Sequence, residues 1–129
     1  MDGLLAEMEQ WSHDSPLVQR AAVAALCEPA LLANPAHVER VLGVLHTVTH
    51  SLAGSSAALT PEIEALRKGL GYGWSVAVAA CPEAGKPALE QWLANSNKHV
   101  QWVMRENLKK QRLLRLDAAW VTAARQKLL

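Results

Sequence analysis

Five residues near the end of the chain could do chemistry as a set. Lys98, Trp102, Arg105, Lys109 and Arg112 are spaced 4, 3, 4 and 3 apart, so a helix over 98–116 lines them along one face. A basic stripe holding an aromatic suits phosphate contacts plus stacking on a base or sugar. The plainer alternative is a solvated face whose Trp102 folds onto the next helix. Arg67 and Lys68, on an earlier helix, would join the same surface if the two helices lie side by side. Glu106 stands one turn from Trp102, but its spacing favours pairing with Lys109 or Lys110.

Other candidate groups point to no enzyme class. His46 and His50 are one helical turn apart, a workable start for a metal site. The intervening Thr47-Val48-Thr49 lacks the glutamate of a zincin motif, and no Cys or carboxylate is spaced to complete a shell. Cys81 precedes Pro82 at a helix end, where the helix dipole disfavours a thiolate. No Ser/His/Asp arrangement, phosphate loop or dinucleotide fingerprint is present. No catalytic residue, metal or cofactor is therefore expected. Tyr72 and Trp74, set among Gly69, Gly71 and Gly73, could line a small pocket, although aromatics at such spacing are more often core.

Composition narrows the setting. The 129 residues suit one domain with a real core. Half of them are hydrophobic, there is no Phe, and five of the six aromatics are Trp. Ala and Leu dominate while β-branched runs are scarce, which predicts an all-α chain. Cys27 and Cys81 are too sparse for a disulfide framework, so a reducing, cytoplasmic compartment is expected, with a bridge between them left open. Met1-Asp2-Gly3 lacks a basic leader, and Val41 to Thr60 carries His46, His50 and several hydroxyls, so neither a signal peptide nor a membrane span is predicted. The net charge of +1 hides an asymmetry: residues 1–66 carry two bases and eight acids, residues 98–127 eight bases and two acids. That imbalance hints at an anionic partner, or at a solvated helix end.

Seven helices would position these groups. Apolar spacing and proline starts predict helices over 2–12, 16–27, 35–52, 61–80, 86–94, 98–116 and 117–129. Asn34-Pro35 and Thr60-Pro61 pair a capping side chain with a first-turn proline, and Asp117 is placed to cap the last helix. Val38, Val41, Leu42, Leu45, Val48 and Leu52 form the clearest apolar stripe. Pro29 is expected to end or bend the second helix, Pro82 to close the fourth, and Gly54-Ser55-Ser56 to form a loop. The alternating Gly69, Gly71 and Gly73 signal either close helix packing or a local break.

The chain also repeats itself. Glu9-Gln10-Trp11, a polar break and Val18-Gln19 are answered by Glu90-Gln91-Trp92, a polar break and Val100-Gln101. Ala22, Ala25 and Leu26 follow in the first copy, and Met104, Asn107 and Leu108 at the same steps in the second. The two tryptophans are about 80 positions apart, two periods of roughly 40 residues, the length of a two-helix solenoid unit. Asp14-Ser15-Pro16-Leu17-Val18-Gln19-Arg20-Ala21-Ala22 through Leu26 resembles the second half of a HEAT-like repeat, and Arg67 to Trp74 followed by Pro82 looks like the second helix of a middle repeat. More narrowly, the pattern is similar to the HEAT-like repeats of bacterial DNA-alkylation-repair glycosylases, where a basic residue and a Trp recur in comparable helices.

The resemblance implies an α-α superhelix of about three pairs, roughly 2–28, 35–81 and 85–116, with a final helix over 117–129 in one domain. The second helices, 16–27, 61–80 and 98–116, would line its concave surface. It implies a non-enzymatic binding or scaffold module for a protein or peptide partner. The alternative is a DNA-binding relative of the repair proteins, using Arg67, Lys68, Lys98, Trp102, Arg105, Lys109 and Arg112. A glycosylase-like activity would need an acid beside Trp102, and only Glu106 has that spacing.

Overall fold

A computed structural model describes residues 2–55 and 58–128. Among them are eight helices and no strand. They are α1 (Asp2–Trp11), α2 (Pro16–Leu26), α3 (Pro29–Leu32), α4 (Pro35–Ala53), α5 (Pro61–Ala80), α6 (Pro82–Glu90), α7 (Lys98–Leu108) and α8 (Gln111–Lys127). Ser56 of the anticipated loop and Leu129 of the anticipated last helix lie outside the described residues. No helix among the described residues is long and apolar enough to cross a membrane.

Local chemistry explains most of the starts. Proline occupies the first turn of α2, α3, α4, α5 and α6, where a missing N–H costs no hydrogen bond. The Asn34 side chain accepts the Ala36 N–H at 3.0 Å, and Thr60 Oγ1 accepts the Ile63 N–H at 3.2 Å. Asn97 caps α7 by accepting the N–H groups of His99 and Val100. Pro82 therefore opens α6 as well as closing α5, which shifts the anticipated helix over 86–94 back to 82–90. Likewise Pro29 does more than end α2: it starts the short α3.

α5 is the centre of the molecule. It packs against α2, α3, α4, α6, α7 and α8. α2 and α7 flank it, while α4 lies between α1 and α6 on another side. All six residues of the α4 stripe are buried, each removing enough apolar surface to contribute about 1.5–3 kcal/mol. α5 is buried without a break from Leu70 to Val78 except at exposed Tyr72. Trp74 is wholly buried, and its indole Nε1 donates to Thr49 Oγ1 of α4 at 3.0 Å.

The glycines of α5 mark close packing, not a break, because α5 is one continuous helix. A Cβ at Gly73 would lie 2.8 Å from Val23 Cγ1, and one at Gly71 would lie 3.2 Å from Glu106 Cβ. Gly85 of α6 is tighter still, since its Cβ would stand 2.7 Å from the Val78 Cα. On the α7 side the seam carries a buried amide. Asn107 donates from Nδ2 to the Leu70 and Val103 carbonyls and accepts the Ser75 N–H at Oδ1. A polar side chain with all these partners is tolerated in a core and fixes how two helices register.

The helix anticipated over 98–116 is two helices. α7 stops at Leu108, and Lys110 is extended, with φ −69° and ψ 133°. No Gly or Pro marks the break. Leu108 and Leu113 are both fully buried, yet five residues of unbroken helix would aim them about 140° apart. Breaking the helix lets both enter the core. Arg125 then donates to the orphaned Leu108 carbonyl at 2.9 Å and so caps α7 from another helix. The last helix does start at Asp117, as its sequence suggested: the backbone there is non-helical, with φ −163° and ψ 88°, so α8 is two helical segments that meet at a kink. Asp117 caps the second segment by accepting the Trp120 N–H at 3.0 Å, and it also accepts the Lys86 ammonium at 2.8 Å.

Candidate functional site

Breaking that helix redistributes the basic stripe. Lys98 and Arg105 are exposed on α7, Lys109 is exposed at its end, and Arg112 belongs to α8. Trp102 is half-buried and turns towards α5, not onto the helix that follows it. The Arg67 guanidinium sits 4.3 Å from the Trp102 ring centroid, a cation–π contact that covers one ring face. Burial pulls the Arg67 pKa down, neighbouring Arg105 pushes the same way, and Glu64 and Glu106 oppose them. An arginine stays charged through such a shift. Glu106 pairs with Lys109 at 2.7 Å, the partnership its spacing favoured. It also lies near Trp102, both packing against Gly71.

Arg112 takes a different role from the one its spacing suggested. Its guanidinium lies 4.6 Å from the Tyr72 ring centroid, and Nη1 donates to Ser75 Oγ at 3.1 Å. Ser75 Oγ spends its own proton on the Tyr72 carbonyl at 2.7 Å, so towards Arg112 it can only accept. Tyr72 itself is 46 % exposed. The expectation that Tyr72 and Trp74 share one role is thus divided: Trp74 is core, whereas Tyr72 faces out.

Tyr72 stands near the middle of a row of depressions along α5. Arg20, Glu64, Ala65 and Lys68 line a depression of about 380 Å³ near the start of that helix. Arg20 and Lys68 continue into a second, of about 310 Å³, which ends at Tyr72. Beyond Tyr72, Arg112 joins Leu32, Val76, Ala79 and Ala80 around a third, of about 280 Å³. With 20 residues in α5, this row of depressions spans about 30 Å. Its rim carries Arg20, Lys68 and Arg112 against Glu28 and Glu64, and Glu64 is already paired with Lys68 at 3.3 Å.

No family model, curated protein or solved structure matches the chain. The reading of this face therefore stands on its own geometry. Of the sequence-derived candidates, Arg67, Trp102 and Arg105 meet on the α5–α7 seam, while Lys68 and Arg112 border depressions along α5. Lys98 is exposed at the start of α7 and forms no ion pair among the described residues. Tyr72 borders a depression, as its place among the glycines allowed, and Arg20 borders the same one although no spacing singled it out. Arg20 is one turn before Ala24 on the exposed side of α2, a position a helical plot could have marked.

Two other depressions lie elsewhere on the surface. Ser12, His13, His46 and His50 border a polar one of about 410 Å³ between the α1–α2 turn and α4. Among the described residues no three His, Cys, Asp or Glu side chains are grouped to hold a metal ion. Arg105, Lys109, Arg125 and Leu128 border another, at the end of α7. Both cysteines are free. Burial, aided by the Glu28 charge, pushes the Cys27 thiol up to about 12, so it is a neutral wall of the second depression along α5 and not a nucleophile.

Proposed function

We propose that this chain is a non-enzymatic binding module of the HEAT-like type, taking a segment of a protein or peptide along the solvent-facing side of α5. The observation that carries the proposal is the row of three depressions along α5, the first two joined through Arg20 and Lys68, with a net basic rim. The side-by-side order of α2, α5 and α7, with α4 between α1 and α6, supports a short α-α superhelix in which these three second helices form the inner surface. The free thiols suit the reducing cytoplasm that such a module would occupy. Charge favours a partner segment with acidic residues on one side. A display selection of acidic amphipathic peptides tests this. Peptides enriched on the native protein should be lost on a Lys68→Glu/Tyr72→Ala variant, and a selection that enriches nothing over that variant sinks the proposal.

A second reading, nucleic-acid binding, draws on Arg105, which forms no ion pair among the described residues while Arg67 and Lys109 lie near it. Against it, one face of Trp102 is already occupied by Arg67. Titration with duplex DNA at two salt concentrations decides. Binding that weakens steeply with salt and is lost in Arg105→Glu/Lys109→Glu would favour this reading, and no binding at low salt removes it.

A further inference from the structure

We propose that the third depression along α5 is a binding site for a carboxylate that carries a short apolar body. The pocket holds about 280 Å³, room for one side chain and its carboxylate rather than a drug-sized ligand. Apart from Arg112 its named walls are apolar: Pro29, Leu32, Val76, Ala79 and Ala80. Arg112 is the single charge there, and it forms no ion pair among the described residues. It is also held in place. One nitrogen bonds the hydroxyl of fully buried Ser75, a second approaches the Tyr72 hydroxyl at 3.4 Å, and the guanidinium carbon lies 4.6 Å from the Tyr72 ring centroid. Those two bonds use two of five N–H donors, which leaves donors for a carboxylate.

The chemistry of the ligand follows from what surrounds that arginine. A single cation balances one negative charge, so a monoanion fits better than a phosphate dianion. Apolar walls favour a ligand that gains by leaving water, and they strengthen the ion pair by lowering the local dielectric. The last residue of a peptide, with an aliphatic side chain, has this chemistry, and so has a free short-chain acid. The inference rests on the reading of this face as a binding surface. Its failure is separable: a protein that takes up peptides along α5 without help from Arg112 keeps that reading and loses this one.

Nuclear magnetic resonance titration of the full chain tests it, with N-acetyl-leucine, N-acetyl-leucine amide and hexanoate as probes. Saturable shifts at Leu32, Val76 and Ala79 with N-acetyl-leucine or hexanoate, absent with the amide, are expected. Binding should weaken at least tenfold in Arg112→Gln. It should weaken equally in Ala79→Leu, which fills the pocket and leaves Arg112 and its partners intact. Matching affinity for hexanoate assigns the site to free acids, and preference for the acylated amino acid assigns it to peptide ends. No saturable shift with either acid overturns the proposal. So does equal binding of the amide, or binding that survives both substitutions.

Discussion

Asn107 Oδ1 accepts the Ser75 backbone N–H at 2.8 Å, joining α7 to α5 at a point buried from both sides. The same residue, Ser75, accepts from Arg112 on α8, so one short polar path ties three helices together beneath Tyr72. Asn107→Ala removes an acceptor and two donor bonds from the core. A buried group left unsatisfied costs about 1–3 kcal/mol, and urea unfolding should report a loss of that size. A loss under about 0.5 kcal/mol would show that the amide contributes little to the seam.

Glycines at similar helical positions should respond with opposite signs. Gly43 is exposed in the middle of α4 with nothing near its virtual Cβ, so Gly43→Ala should stabilise by up to about 1 kcal/mol. Gly85→Ala would drive a methyl against the Val78 backbone, and overpacking of that kind costs about 1–3 kcal/mol. Thermal melting of the two variants checks both signs, and a common direction would contradict the packing described for α6.

Two buried tryptophans offer a contrast of hydrogen bonding. Trp74 Nε1 donates to Thr49, whereas Trp92 Nε1 is buried with no partner among the described residues. Both Trp→Phe changes remove similar volume, but only Trp74→Phe leaves a buried hydroxyl without its donor. Trp74→Phe should be the more damaging by about 1–3 kcal/mol. Equal losses in denaturant titrations would remove the Thr49 bond from the account.

Acid should weaken the ties that Glu9 and Asp117 make. Hydrogen bonding to Arg40 lowers the Glu9 pKa from 4.5, and hydrogen bonding to Lys86 lowers that of Asp117 from 3.8. A carboxylate depressed by folding contributes its stability above its unfolded pKa, and that contribution fades as pH falls through the folded value. Stability should therefore hold from neutral pH to about pH 4.5 and decline below it. The Glu9→Gln/Asp117→Asn variant should start lower and lose less between pH 6 and pH 3. An acid limb as steep as that of the parent would point to other groups.

Thiol chemistry should separate the two cysteines. Cys27 is buried with its thiol pushed up to about 12, and Cys81 is only half-buried. In a native-state assay with an aromatic disulfide reagent at pH 8, Cys81 should react and Cys27 should not until denaturant is added. Equal native rates would mean that the contact between α2 and Gly73 opens readily.

The sequence by itself determined the helical class and most helix starts, because prolines and the capping Asn34, Thr60 and Asn97 act within one turn of themselves. It also determined the buried face of α4, since six apolar residues at helical spacing have one way to leave water together. Only the tertiary structure decided where α7 ends. The break at Lys109 and Lys110 has no local signal and follows from burying Leu108 and Leu113 together and from a cap supplied by Arg125. That break moved Arg112 off the stripe of Lys98, Trp102 and Arg105 and onto Tyr72. Which glycines serve close packing was likewise settled by the neighbours: Gly73 and Gly85 face another helix and Gly43 faces none. Spacing along a chain describes one helix at a time, whereas a groove belongs to several helices, and their contacts are made by residues far apart in sequence.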